Sequence, residues 1–154
     1  MTSETVREAR DRYLAEHGLD VSSYDSPTFT IHVGPWPLRL PNPGFLPYHD
    51  LHHVATGFGS GFVGEAEISA YELRAGCRSA LIHLLCIGAI AGALFVAPRR
   101  VLRAWSGARG ARTLYHSDIP YETLLGMTVA ELRHHLRLPA GGLADRSSNP
   151  RGER

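Results

Sequence analysis

The amino-acid sequence predicts a mostly α-helical fold, a compact domain of about five to six helices with one small β-hairpin near the N-terminus. Apolar residues recur at helical spacing along most of the chain, two capping-box patterns mark helix starts, and β-branched residues alternate in one short stretch. With 154 residues, 44% of them hydrophobic, the chain can bury one core. We expect a single domain over residues 1–139 and a disordered tail over residues 140–154, where Gly, Ser, Asn and Arg dominate.

The first predicted elements are a helix and a hairpin. Thr5 and Glu8 have capping-box spacing, which predicts a helix over residues 4–17. Residues 28–33 alternate in polarity and include β-branched side chains, so they are predicted to form a strand with a short partner at residues 38–40. Because a lone two-stranded hairpin is only marginally stable, we expect it to lie against helices.

Two helices separated by a glycine-rich break follow. Pro47 suits the first turn of a helix, where its missing N–H is harmless. Residues 56–64 then contain four glycines, which is typical of a flexible loop, a phosphate-binding nest or a close approach of the backbone to a ligand. The stretch lacks the P-loop lysine, which disfavours nucleotide binding. The second helix is predicted over residues 63–73.

The most hydrophobic segment covers residues 80–97. It contains no Arg, Lys, Asp or Glu, and Arg78 and Arg99 flank it. Its length is at the lower bound for crossing a bilayer, and we favour instead a helix that is buried on all sides, or that lines an apolar pocket or a dimer seam. His83 lies in this segment and needs a partner there, which a metal, a substrate or a hydrogen bond in the core would supply.

The C-terminal part is predicted to add two helices and a short turn. Pro98 either kinks the preceding helix or starts a new one that reaches Trp105. A short turn around Leu124 comes next. Thr128 and Glu131 then form a second capping box ahead of an amphipathic closing helix.

Charge and cysteine content exclude several classes of protein. All sixteen basic residues are arginines, they are scattered, and fifteen acidic residues balance them, so the basic stripe of a nucleic-acid binder is missing. The acidic, polar N-terminus is unlike a secretory signal. Cys77 and Cys86 lie in apolar surroundings, which indicates buried thiols rather than a disulfide or a zinc knuckle. We expect a cytoplasmic protein with no nucleic-acid partner, and peripheral membrane contact stays open.

The strongest functional pattern is a group of histidines answered by Glu65. At about 100° per residue, a helix places His49, His53 and Asp50 at roughly 0°, 40° and 100°, on one face. His52 falls on the opposite flank, outside the expected ligand set. Glu65 lies beyond the glycine-rich break, where a second helix folded back would supply a fourth ligand. Two imidazoles and two carboxylates suit a divalent metal, with zinc the first candidate and iron, manganese and magnesium as alternatives.

Two further carboxylates belong to the same predicted helix as Glu65. Glu72 lies two turns later on the same face. It is either a partner of a metal ligand or a solvated surface carboxylate, and the second interpretation is the simpler one. Glu67 is expected to be exposed.

The order His49-Asp50, two residues, His53, eleven residues, Glu65, with a glycine before the glutamate, resembles the metal-binding signature of the Coq-four family of ubiquinone-biosynthesis proteins. The resemblance covers about residues 41–73. It implies a largely helical, often dimeric and membrane-associated protein that uses a divalent metal, usually zinc. It also implies loss of the C1 carboxyl group of a polyprenylated benzoquinone precursor, with hydroxylation at that carbon. The short chain, without a mitochondrial leader, looks like a compact bacterial relative whose substrate need not be a ubiquinone precursor.

Three functional interpretations stay open. In the favoured one, an open metal site catalyses decarboxylation of a hydrophobic small molecule and His52 or His83 delivers the proton. In the second, the metal supports hydrolysis with Asp50 in the base position of a zinc-protease-like motif. Against both of these, the metal would be only a structural staple between two helices. In the third, the protein is a non-catalytic scaffold that binds a lipid or quinone. A homodimer through residues 80–97 is compatible with each.

Overall fold

The computed structural model describes residues 3–33, 35–42 and 44–144. These residues form seven α-helices and one antiparallel two-stranded sheet, which confirms the mostly α-helical class with a single hairpin. The extra helix is the segment around Leu124, which was predicted as a short turn. The helices are α1 (Val6–Glu16), α2 (Leu46–Thr56), α3 (Phe62–Ala75), α4 (Ala80–Ala93), α5 (Pro98–Gly107), α6 (Tyr121–Gly126) and α7 (Val129–His135); the strands are β1 (Thr28–Val33) and β2 (Trp36–Pro41).

The two capping boxes form as predicted, and they meet. Thr5 and Thr128 each accept the backbone N–H of a glutamate three residues later, and that glutamate accepts the N–H of the cap. The two caps also pair as an isolated antiparallel bridge, so α1 and α7 begin side by side. This pairing fastens the N-terminal helix to the C-terminal part of the fold.

Helix α3 is the centre of the packing. It contacts α4 and α5 on one side and α2 on another, while α1 covers α2, α6 and α7. Leu51 of α2 and Ile68 and Tyr71 of α3 are fully buried in the main core. Pro47 lies in the first turn of α2, as predicted. The core therefore holds α2 and α3 firmly against the rest of the domain, and these two helices carry the candidate site.

Of the alternatives predicted for residues 80–97, a helix buried on all sides is wrong, while a helix that lines an apolar pocket or a dimer seam stays a prediction. Helix α4 ends at Ala93, and Ile82, Cys86 and Ala93 are its buried residues. Most of its other residues are apolar and are partly or fully exposed, because α4 packs on its neighbours along one narrow face. Leu84 is 67% exposed and Phe95, just after the helix, is 91% exposed. Among the helices that the structure describes, none combines the length and the hydropathy that crossing a bilayer requires.

The predicted start of the tail at residue 140 does not mark the end of specific packing. The backbone N–H groups of Leu143 and Ala144 both donate to the carbonyl oxygen of Thr56, at 2.8 and 2.9 Å. Thr56 is the last residue of α2, so these bonds satisfy a helix-end carbonyl. The rest of the predicted tail, residues 145–154, lies outside the described residues.

Candidate metal centre

Helix α2 presents His49 and His53 on one face, as the helical spacing predicts. Their Nε2 atoms lie 3.2 Å apart. The His53 ring is fully buried and that of His49 is nearly so, at 16% exposure. Tyr13 of α1 stacks on the His53 ring with a centroid distance of 5.1 Å. Packing therefore holds both imidazoles in one arrangement before any ligand is considered.

Glu65 of α3 completes the group. One of its carboxylate oxygens lies 3.5 Å from His49 Nε2 and the other lies 3.4 Å from His53 Nε2. Ligands on a tetrahedral zinc, each at ~2.0–2.1 Å, are about 3.3 Å from one another. The three side chains therefore have the spacing of a metal-binding set, and they could hold one metal ion.

The glycine-rich break brings α3 close enough for this meeting. Gly57 adopts a left-handed conformation (φ 81°) that ends α2, and such a conformation favours glycine. Gly64 packs directly on the backbone of Gly59, where a Cβ atom would overlap the Gly59 carbonyl oxygen. The glycines thus serve the tight return of the chain and the close approach of α3, which places Glu65 opposite the histidines.

Each histidine has its other ring nitrogen bound to an oxygen that can only accept a hydrogen bond. His49 Nδ1 lies 2.9 Å from the Glu72 carboxylate, and His53 Nδ1 lies 3.0 Å from the Phe58 carbonyl oxygen. When the rings are neutral, both Nδ1 atoms must therefore carry the proton, which leaves both Nε2 lone pairs pointing at the same space. This is the tautomer that metal-binding histidines adopt when a carboxylate or a carbonyl orients them.

Electrostatics keep Glu65 ionised. In the metal-free protein a proton takes the place of a metal between these side chains. Burial by itself would raise the pKa of Glu65, but the hydrogen bonds of its carboxylate with His49 and His53 then outweigh burial and hold that pKa at about 2. Burial lowers the pKa of His49, yet the neighbouring Glu72 and Glu65 carboxylates outweigh it and raise that pKa well above its ordinary value. The space between these three residues therefore attracts positive charge.

The simpler interpretation of Glu72, as a solvated surface carboxylate, is wrong. Glu72 is 1% exposed, and one of its oxygens accepts hydrogen bonds from His49, His52 and the Tyr115 hydroxyl. Burial alone would raise the pKa of Glu72, but His49 and His52 outweigh it and lower that pKa. Glu72 is thus a buried anion beside the candidate metal ligands.

His52 lies outside the group of three, as predicted, and the structure gives it a different task from proton delivery. Its Nδ1 donates to Glu72 at 2.7 Å, and its Nε2 accepts the backbone N–H of Leu114 at 2.8 Å. The ring is fully buried, and burial lowers its pKa. With both nitrogens occupied and no access to solvent, His52 is built to hold Glu72 in place.

Asp50, the fourth predicted ligand, is not brought into the group of three. Its carboxylate accepts a hydrogen bond from the Tyr24 hydroxyl at 2.6 Å. At about 100° around the helix from His49, against about 40° for His53, its side chain leaves α2 on the flank that faces Tyr24. Burial raises the pKa of Asp50.

Two other predicted placements differ from the structure. His83 is exposed on α4 and its Nδ1 donates to the Ser79 carbonyl within its own helix, so it does not meet the metal group. Glu67 is buried rather than exposed, and it forms a two-point ion pair with Arg100 of α5 at 2.6 and 2.9 Å. Both differences arise because α5 covers part of α3 while α4 leaves its own outer face open.

Several residues of the site were missed by sequence reasoning. Tyr115, which bonds to Glu72, follows it by 43 residues in the chain. Tyr24, which bonds to Asp50, precedes it by 26 residues. Tyr13 belongs to α1, a helix in which the sequence indicated no site residue. No spacing rule within a helix links residues so far apart. Glu72 alone had a signal, its position two turns from Glu65 on the same helical face.

The fold and the site together define a helical protein with a candidate metal centre of two histidines and one glutamate. No protein-family model, curated protein or solved structure matches the chain. The likeness to the Coq-four family therefore rests on the motif residues alone.

Proposed function

We propose that this protein is a divalent-metal-dependent enzyme, with zinc as the first candidate, that acts on a hydrophobic aromatic or prenylated quinone-type substrate. One observation carries the metal part of the proposal. Two Nε2 lone pairs and an ionised carboxylate lie 3.2–3.5 Å from one another, and both histidines are held in the metal-binding tautomer. Without a cation or a shared proton, two such lone pairs would repel each other.

The donor set favours a working site over a structural staple. Three protein ligands are typical of catalytic zinc sites, whereas structural sites have four and are rich in cysteine. Glu65 is 41% exposed while His53 is fully buried, so the group is open on the Glu65 side. Asp50, engaged with Tyr24, leaves the fourth position free for a substrate oxygen.

Metal chemistry of this kind suits decarboxylation. A divalent cation there would polarise a phenolate or carbonyl oxygen and stabilise the charge that remains when carbon dioxide departs. The carboxylate and ortho-hydroxyl of a hydroxybenzoate offer a matching pair of oxygens. Since His52 is fully occupied and His83 is elsewhere, the proton that replaces the carboxyl group comes from solvent on the Glu65 side.

An apolar surface beside the open side supports a hydrophobic substrate. Phe62 lies one turn before Glu65 on α3 and is 60% exposed, although it is a large aromatic residue. Its ring lies against Gly92 of α4, where a Cβ atom would come within 3.1 Å of the ring. From there the exposed apolar face of α4 continues through Ile87 and Leu84. A prenyl tail fits such a surface, and so does a second copy of the chain.

The same surface motivates a second candidate, a non-catalytic scaffold that binds a lipid or quinone. Exposed clusters of large apolar side chains mark interaction or ligand-binding surfaces in many proteins. A scaffold would require only the exposed apolar surface of α4 for binding. The proposed enzyme would require that surface and a metal bound by His49, His53 and Glu65.

The resemblance to the Coq-four family is part of the proposal. The likeness required His49, Asp50, His53 and Glu65 to converge from two helices. Three of these four residues converge, which supports the likeness, while Asp50 departs from it. Decarboxylation, with or without hydroxylation at the same carbon, is the reaction class that the family implies.

The test has three steps. Elemental analysis of purified protein should find about one divalent metal per chain, and mass spectrometry of an organic extract should find a bound prenyl or quinone-type molecule. A prenylated hydroxybenzoate should then release carbon dioxide in the presence of the metal. Bound lipid with no turnover would favour the scaffold, and wild-type protein that binds neither Zn²⁺ nor Co²⁺ would overturn the metal proposal.

A further inference from the structure

Glu72 is a buried carboxylate that is not one of the three candidate metal ligands. Its side chain is 2% exposed, and a single oxygen accepts three hydrogen bonds: from His49 Nδ1 at 2.9 Å, from His52 Nδ1 at 2.7 Å and from the Tyr115 hydroxyl at 2.7 Å. No arginine is among these donors. A buried carboxylate is costly unless charge and hydrogen bonds compensate it.

The other hydrogen bonds of these histidines fix which ring nitrogen carries the proton, so the direction of each hydrogen bond to Glu72 is determined. Leu114 N–H donates to His52 Nε2, so His52 must hold its proton on Nδ1 and donate it to Glu72. Glu72 then accepts from His49 Nδ1, and His49 must leave its Nε2 without a proton when the ring is neutral. The backbone of the segment after α5 thus sets the tautomer of a residue on α2.

From this geometry we propose that Glu72 is a positioning residue for the metal centre: held by His52 and Tyr115, it orients His49 and makes its Nε2 a stronger metal ligand. The inference rests on the proposed metal-binding function. Carboxylates that accept the second ring proton of a ligand histidine raise its basicity and fix its ring, and their loss commonly weakens metal binding by about 10–100-fold.

The role explains why three donors meet on one oxygen. A carboxylate that served packing alone would gain equally from donors spread over both oxygens. Three hydrogen bonds to a single oxygen instead restrict the position of that oxygen from three directions. His49 is the only one of the three donors that also belongs to the metal group, so His49 is the residue that this precision serves.

The experiment compares metal affinity in four proteins: wild type, Glu72→Gln, Tyr115→Phe and Tyr71→Phe. The probes are Co²⁺ alone, followed by its visible absorption, and Zn²⁺ in competition with a chromophoric chelator. Tyr71→Phe is the matched control, because Tyr71 is a buried tyrosine whose hydroxyl donates to the Arg112 carbonyl rather than to Glu72. Thermal unfolding of the metal-free proteins reports the loss of stability in each variant.

We expect Glu72→Gln to weaken Co²⁺ binding by about 10–100-fold and Tyr115→Phe by about threefold to tenfold, each with an altered Co²⁺ spectrum. Tyr71→Phe should lose comparable stability to Tyr115→Phe and keep the wild-type affinity and spectrum. If Glu72→Gln does not fold, Tyr115→Phe still decides the question.

Affinity and spectrum unchanged in Tyr115→Phe and Glu72→Gln, with wild type binding normally, would overturn the positioning role and leave the metal centre standing. An equal loss in Tyr71→Phe would overturn it too, since general destabilisation would then explain the effect. Wild-type protein that binds neither metal would overturn both the inference and the proposed function.

Discussion

His49 and His53 point their Nε2 atoms at each other across 3.2 Å, and neither atom carries the proton of a neutral ring. Two lone pairs in this position need a cation between them, either a proton or a metal. With Glu65 on the third side, the arrangement is compatible with zinc and its neighbours among the divalent metals.

Removal of one histidine should empty the centre. His53→Ala deletes a buried donor and is expected to lower the affinity for Zn²⁺ by more than about 100-fold, beyond the effect typical of indirect partners. Elemental analysis and Co²⁺ titration measure the change. His83→Ala is the control, because this exposed histidine bonds within its own helix and should leave metal content as in wild type. Full metal content in His53→Ala would contradict the assignment.

The position before Glu65 should accept only glycine. Gly64→Ala would drive a Cβ atom into the carbonyl oxygen of Gly59, so it should destabilise the fold by about 2–3 kcal/mol and weaken metal binding by displacing Glu65. Urea unfolding and Co²⁺ titration test this. Gly61→Ala is the matched control, since a Cβ atom at that position meets nothing within 4 Å and its φ is −71°. Similar effects for the two variants would refute the packing argument.

Acid should remove the contribution of Glu65 to the stability of the metal-free protein. Its pKa is about 2 in the folded state against an ordinary value of 4.5, so the unfolded chain binds more protons between these values. The stabilisation is therefore fully present above pH 4.5 and is lost as the pH falls toward 2.

Thermal unfolding in EDTA measures this effect. Wild type should melt above Glu65→Gln at pH 6, and the difference should shrink at pH 3. Glu16→Gln, which changes an exposed carboxylate of α1, should show a small difference at both values. A gap between wild type and Glu65→Gln that widens in acid would show that the sign is wrong.

The ion pair between Glu67 of α3 and Arg100 of α5 should contribute to stability because Glu67 is buried. Arg100→Ala leaves the buried Glu67 carboxylate unpaired and should destabilise the protein by about 2 kcal/mol, and the double variant with Glu67→Ala should recover part of that loss. Urea unfolding provides the measurement. Arg7→Ala, which breaks an exposed pair with Glu122, should cost at most about 0.5 kcal/mol. Equal losses for Arg7 and Arg100 would contradict the burial argument.

The sequence was sufficient to predict those parts of the site that follow from helical spacing and from the glycine-rich break between α2 and α3. His49 and His53 share a face because four residues make about one turn, and Glu65 followed from the glycine-rich break. Glu72 was noticed by the same rule, but its burial was not, because its other partner Tyr115 lies 43 residues away. Contacts that depend on how helices pack leave no local periodicity in the chain.

The hydrophobic segment shows a second limit. The apolar composition of residues 80–97 predicted a helix whose burial would be favourable. Composition does not show whether other helices cover that surface, and in the structure Leu84 and Ile87 of α4 stay exposed. Asp50 shows the same limit for polar residues. Its type and spacing suit a metal ligand, but its carboxylate accepts a hydrogen bond from Tyr24, which lies in another part of the chain.

The two amides that close on the Thr56 carbonyl have a practical consequence for anyone shortening this protein. The composition suggests residue 139 as a place to end a shortened chain. Such a chain would lose the two hydrogen bonds to the Thr56 carbonyl at the end of α2, three residues beyond His53. If the proposed metal enzyme is correct, weaker metal binding in such a variant would resemble damage to catalysis, although His49, His53 and Glu65 had all been kept. Trimmed variants should therefore retain the chain through Ala144.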